Sequence, residues 1–184
     1  MKKFTLVLLS IALSGAAISQ EKYFTRDGHI KFFSSTPMEN IEADNHKVTV
    51  VLDEATGKLE FSALMKSFEF EKALMEEHFN ENYVESKTYP KATFKGSIKD
   101  FEMGAFDSEA DVVAVGKLTI HGVTKDVEMP GKVSKSSDGY QLTSKFNVNP
   151  EDYNIEIPKT VRDNIAEQLE VTVDLKLGPL KKQD

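Results

Sequence analysis

The chain has 184 residues, 30 acidic against 23 basic side chains, a formal net charge of −7 and no cysteine. An acidic balance argues against nucleic acid or an anionic membrane surface as a partner. The missing thiol excludes disulfides, a cysteine nucleophile and a lipid anchored through cysteine.

The first twenty residues, MKKFTLVLLSIALSGAAISQ, place Lys2 and Lys3 ahead of an apolar run from Phe4 to Leu13. Ala17-Ile18-Ser19 follows as a small-residue cleavage site. This order predicts a secretory signal peptide over 1–20, cut after Ser19 or Gln20, because the apolar run is too short to span a bilayer. The expected mature protein, 21–184, then has no integral membrane segment and is periplasmic or secreted. Losing both leader lysines takes its formal charge to −9. Its length fits one domain.

Tyr23 to Ser35 reads as strand, turn, strand around Asp27-Gly28. Thr36-Pro37 breaks the strand, and Met38 to Asp44 is expected to hold one turn of helix. His46 to Leu52 alternates, with Val48, Val50 and Leu52 on one side. After a turn centred on Thr56-Gly57, Lys58 to Phe68 reads as a strand with Leu59, Phe61, Ala63 and Met65 on one face. From Glu71 to Asn80 the period changes. Good helix formers dominate there, and Leu74, Met75, His78 and Phe79 make a stripe at helical spacing. Tyr89-Pro90 closes that connection. Ala92 to Phe101 reads as a strand with Ala92, Phe94, Gly96 and Ile98 aligned.

Val112 to Val133 reads as a β-hairpin. Val112, Ala114, Gly116, Leu118 and Ile120 share one face of the first arm. The turn is expected at His121-Gly122-Val123-Thr124, where Gly122 supplies a positive φ. Gly116 in mid-strand marks a bend or a close backbone approach, and Pro130 ends the second arm or brings it to an edge. Ser136 to Gly139 is a turn. Tyr140 to Val148 is a strand with Tyr140, Leu142, Ser144, Phe146 and Val148 in line. Asn149 to Ala166 is irregular, with room for a short helix over Thr160 to Ile165. Leu169, Val171, Val173, Leu175 and Leu177 alternate in a last strand. The sum is all-β: about eight antiparallel strands and one substantial helix, folded as a closed barrel or a two-sheet sandwich.

Three segments carry a family likeness: Ile41 to Val48, Met65 to Phe94, and Gly116 to Lys125 (GKLTIHGVTK). Together they resemble the YceI-like family of bacterial secreted proteins, over nearly the whole mature chain. The resemblance implies an eight-stranded, lipocalin-like antiparallel barrel with a long apolar cavity that binds polyisoprenoid lipids. The family often carries an Arg followed by Asp-Phe-Gly-Ile after the penultimate strand. Asn149-Pro150-Glu151-Asp152-Tyr153-Asn154-Ile155 stands there instead, without the basic residue and the Gly.

Strand parity selects the side chains that would line such a cavity: Phe32, Val50, Phe61, Phe94, Ile98, Leu118, Ile120, Leu142, Phe146 and Val173. Periodicity alone does not separate a cavity from a filled core; the resemblance favours a cavity. No catalytic signature accompanies them. There is no Gly-x-Ser-x-Gly elbow, Gly116 to Lys125 lacks phosphate-loop spacing, and His29, His46, His78 and His121 form no His-Glu-x-x-His. Glu42, Asp44 and His46 would align on an extended segment as a cation site, but a solvated loop entering a strand is the favoured reading. His78 is expected half-buried on the helix stripe, and His121 bonded to a backbone group at the hairpin turn. The expectation is therefore a non-enzymatic binder of an isoprenoid or other long-chain lipid, without cofactor or metal. A homodimer stays open as a further partnership, as do a solid barrel acting as a stress or interaction protein and an enzyme acting on a prenyl lipid.

Overall fold

The computed structural model describes residues 21–102, 106 and 108–180. The expected leader and its cleavage site lie outside them. Among the described residues the strands are β1 (Lys22–Ser35), β2 (Asn40–Asp53), β3 (Lys58–Leu64), β4 (Glu69–Phe70), β5 (Lys91–Ile98), β6 (Ala110–Ile120), β7 (Val123–Ser136), β8 (Gly139–Val148) and β9 (Leu169–Pro179). Eight of them close a barrel in the order β1-β9-β8-β7-β6-β5-β3-β2, with β2 pairing back onto β1, and the short β4 adds to β2. This is the eight-stranded antiparallel barrel that the resemblance implies, and it decides between the barrel and the sandwich that alternation leaves open. Helix α1 (Ala73–His78) continues as a π turn, Phe79–Tyr83, and lies between β4 and β5. Two 3₁₀ turns, Pro150–Tyr153 and Lys159–Asn164, sit in the long β8–β9 connection.

The central hairpin is tighter than expected. Ile120 pairs with Val123, so only His121 and Gly122 make the loop. Their φ values of 49° and 74° are those of a primed turn, whose twist matches that of the flanking strands. Gly116 sits opposite Gly96 of β5. A Cβ on Gly116 would lie 2.5 Å from the Gly96 Cα, so the mid-strand glycine does mark a close approach. Pro130 does not end β7, which runs on to Ser136. Pairing with β8 begins only at Gly131, so Pro130 stands where β7 becomes an edge towards β8.

Asp27-Gly28 makes no turn. β1 is continuous, because it is held by β2 on one side and β9 on the other. The glycine serves a pair of compensating bulges instead: one extra residue in β1 between Thr25 and Gly28, and one in β2 between Asn45 and Val48. A Cβ at Gly28 would meet Leu175 Cδ2 at 2.6 Å. Met38 to Asp44 is not helical either. Thr36 caps a tight turn by accepting the Met38 and Glu39 amides, and β2 starts at Asn40, paired with Ser35. β3 stops at Leu64, where a 3₁₀ turn, Met65–Ser67, swings the chain towards α1.

The barrel is filled most tightly by Val48, Val50, Leu52, Val133 and Leu177, all nearly or fully buried. One end is closed by a polar plug. Glu54 pairs with Lys135 and accepts a hydrogen bond from Tyr140 Oη at 2.8 Å. Tyr23 meets Tyr140 edge-on at 4.8 Å, and the Lys135 ammonium lies over both rings. The helix sits at the other end.

Candidate functional site: an apolar cavity opening at the helix end

Because successive side chains alternate across a strand, one face of the barrel wall points inward throughout. The space it encloses is about 190 Å³ and is lined almost wholly by apolar side chains. Phe32, Phe61, Phe94, Ile98, Leu118, Ile120, Leu142, Phe146 and Val173 all lie on its wall. Val50 does not. It is fully buried opposite Phe61, so its parity is inward, but it packs in the filled part of the core. Thr143 and Ser144 interrupt the apolar lining, as does Lys132, whose Nζ is 2.8 Å from Glu109.

A second space of about 220 Å³ lies at the helix end, under α1 and the Lys159–Asn164 turn. The two spaces share Phe32, Phe79, Val84, Pro150, Ile155 and Leu169, which form the boundary between them. Together they reach the range of ligand pockets, roughly 300–1,000 Å³. Phe32 and Phe79 are the aromatic members of that boundary. Phe79 lies 5.6 Å from Phe32, 5.6 Å from Phe68 and 5.1 Å from Phe70, centroid to centroid. Tilted and edge-on contacts of this kind add to burial.

The helix stripe is only partly inward. Met75 and Phe79 reach the outer space, whereas Leu74 is 61% exposed. His78 borders that space but is exposed rather than half-buried. The rim there is polar. Glu39 accepts from Asn164 Nδ2 at 3.2 Å and pairs with Lys72 at 3.2 Å. The Asn164 hydrogen bond, then that of Lys72, holds the Glu39 carboxyl below its ordinary value.

The segment that departs from the family pattern fills a wedge. β7 from Val123 to Pro130 has no ladder to β8, and β8 beyond Ser144 pairs only with β9. Into this split go Pro150, Tyr153 and Ile155, all buried and all on the cavity wall. Asn149 starts the 3₁₀ turn by accepting the Glu151 amide at 3.0 Å. Lys125 of β7 pairs with Asp152 at 2.7 Å. His121 Nδ1 reaches the Tyr153 carbonyl at 3.2 Å and Nε2 reaches Glu85 at 2.8 Å. The backbone bond expected for His121 is therefore present, and it ties the hairpin turn to this loop. Tyr153, Ile155 and Val84 join the wall from stretches without a two- or 3.6-residue period, so periodicity does not point to them.

Glu42, Asp44 and His46 lie within β2, not in an entry loop. Glu42 is engaged by Lys31 at 2.7 Å, while Asp44 and His46 meet His29 on the outer wall.

An antiparallel eight-stranded barrel with an apolar interior reaching one helix-covered end defines the lipocalin-like class of barrels. Within it, the chain belongs to the YceI-like family: the YceI-like domain matches residues 20–177. Solved structures share the fold. A polyisoprenoid binding domain from Saccharophagus degradans, implicated in plant cell wall breakdown, superposes with a TM-score of 0.73 at 14% identity, over 89% of this chain and 100% of that one. Burkholderia cenocepacia BcnA follows at 0.68 and 18% identity, over 84% of this chain and 96% of that one. The Campylobacter jejuni YCEI protein gives 0.57 at 17% identity, over 99% and 100%. None of the curated proteins matches the chain. Among the described residues, no helix is long and apolar enough to cross a membrane.

Proposed function

We propose that this protein binds a long apolar lipid of the isoprenoid type, non-covalently, with the chain threaded from the helix end into the barrel. The observation that carries this reading is the run of two largely apolar spaces that share wall residues such as Phe79 and Ile155. A round ligand would need one compact chamber, whereas a thin flexible chain suits two small spaces in series. Each buried methylene would contribute about 0.8 kcal/mol before the cost of ordering the chain. The polyisoprenoid binding of the Saccharophagus degradans relative supports the choice of lipid. The polar rim of Glu39, His78 and Asn164 would leave a headgroup in water.

The role is to hold, shield or carry the lipid rather than to transform it. The ionised groups near the cavity serve ion pairs, as with Lys132 and Glu109, or sit at the rim. The sequence of the first twenty residues supports export and a periplasmic or secreted mature chain from about residue 21. Protein purified from its native host should yield a prenyl-chain lipid on solvent extraction and mass spectrometry, near one per chain. N-terminal sequencing of the same sample should begin at Gln20 or Glu21. Lipid-free protein that also fails to take up an added prenyl alcohol would reject the binding role; a start at Met1 would reject export by cleavage.

A further inference from the structure

The outer wall of the barrel carries a cluster that the cavity does not use. His29 of β1 and Asp44 and His46 of β2 each offer one donor atom, and these atoms lie within 4.8 Å of one another. His29 Nε2 is 2.6 Å from Asp44 Oδ1. The two imidazoles stack with centroids 4.3 Å apart and planes 10° from parallel. We propose that His29, Asp44 and His46 form a binding site for a divalent transition-metal ion such as Zn²⁺, on the opposite face of the wall from the cavity.

The donor set decides the class of ion. Two imidazoles and one carboxylate suit zinc and its neighbours, whereas magnesium and calcium call for oxygen ligands. Three protein ligands would leave a fourth position to water. Charges of both signs stand around the site, Lys47 beside His46 among them. Asp174 of β9 stands opposite His29, and Glu69 of β4 stands opposite Asp44, on the same outer surface. Lys31 faces Asp44 across the ladder; its Nζ lies against Glu42 and also interacts with the Asp44 carboxylate.

The backbone shows how the cluster is assembled. Asp44 and His46 are two residues apart in a strand, which places both on one face. The β2 bulge that follows turns both His46 and Lys47 to solvent. Asn45, fully buried, fixes that bulge: its Oδ1 accepts the Lys47 amide at 2.9 Å and its Nδ2 donates to the Leu64 carbonyl at 2.9 Å. The matching bulge in β1 ends at Gly28, immediately before His29. Bulges re-aim side chains in this way beside functional sites. The parallel rings do not yet converge their lone pairs, so one ring must turn. His46 is exposed and has that freedom.

The test uses the folded mature chain, treated with a chelator and titrated by calorimetry with Zn²⁺ and separately with Mg²⁺. One Zn²⁺ should bind per chain, and Mg²⁺ should not. His29→Gln, which can still bond Asp44 without presenting an imidazole, should weaken Zn²⁺ by at least about tenfold, as should His46→Ala and Asp44→Asn. Circular dichroism checks that each variant is folded. No saturable Zn²⁺ binding to the wild-type chain overturns the proposal, and this result does not depend on any variant. A loss with His46→Ala alone, the other two binding normally, overturns it as well, since that marks a lone surface histidine. The site is independent of lipid binding, so lipid content should be the same in all three variants.

Discussion

Glu54 is 6% exposed, and its neighbours explain how a carboxylate is kept there. Burial pushes its carboxyl up, but the hydrogen bonds from Lys135 and Tyr140 outweigh this and hold it below the ordinary value of 4.5. Lys135 is raised in turn, chiefly by its bond to Glu54. A carboxyl lowered on folding stabilises the fold above its unfolded-chain pKa and loses that contribution as pH falls through the folded value. Urea stability of the wild type should therefore fall as pH drops below about 4.5, and Glu54→Gln should show a shallower fall over the same window. Equal slopes would show that the plug is not linked to protonation of Glu54. Phe79 makes the opposite kind of contribution, apolar and only partly buried. Phe79→Ala should cost about 2–3 kcal/mol in urea denaturation, short of the roughly 3–5 kcal/mol of a fully buried Phe. Leu74→Ala, on the exposed side of the same helix, should stay within about 0.5 kcal/mol. A reversed order would mean that the helix is docked by its other face.

Among the elements, the β6–β7 hairpin is the most strongly specified. Both its loop residues have positive φ, and a Cβ on Gly122 would sit 2.7 Å from the Tyr89 ring. Gly122→Ala should cost at least about 1 kcal/mol, the lower end for an L-residue in the left-handed region, with Tyr89 displaced as well. A neutral substitution would show that the turn relaxes freely. Hairpins and long strands were readable because a period of two persists over ten or more residues. The Asp27-Gly28 signal misled because the same residue types serve turns and bulges, and only the neighbours β2 and β9 decide between them. Met38 to Asp44 misled because a short stretch carries too little period to separate a helical turn from a strand start. The same limit applies to the cavity wall. Parity places Val50 inward but cannot say that the space beside it is filled. Val84, Tyr153 and Ile155 reach the wall from aperiodic segments. His29 joins Asp44 and His46 only through strand pairing next to a bulge, which no spacing in the chain records.

Closure of the barrel removes free edges from most of the sheet, and a gap in the ladder lies between β7 and β8. There the 150–155 segment replaces a missing ladder, and the wall is sealed by side chains rather than by backbone. The polar plug lies at one end, and on the proposed reading the lipid enters at the other, past the helix and Phe79. On that reading this interior receives a lipid chain instead of being a solid core. The most direct measurement is the prenyl lipid bound per folded chain in three variants, after loading with the same prenyl alcohol. Ala92→Phe enlarges a small residue on the cavity wall, Leu118→Lys puts a charge there, and Lys117→Gln changes the adjacent outward residue, which pairs with the exposed Asp126. Lys117→Gln should keep its lipid, and Ala92→Phe should lose it while staying as stable as wild type. Leu118→Lys should also lose its lipid. If Ala92→Phe instead destabilises by about 1–3 kcal/mol, as overpacking a full core does, or if the folded variants all carry equal lipid, the cavity is not the binding site.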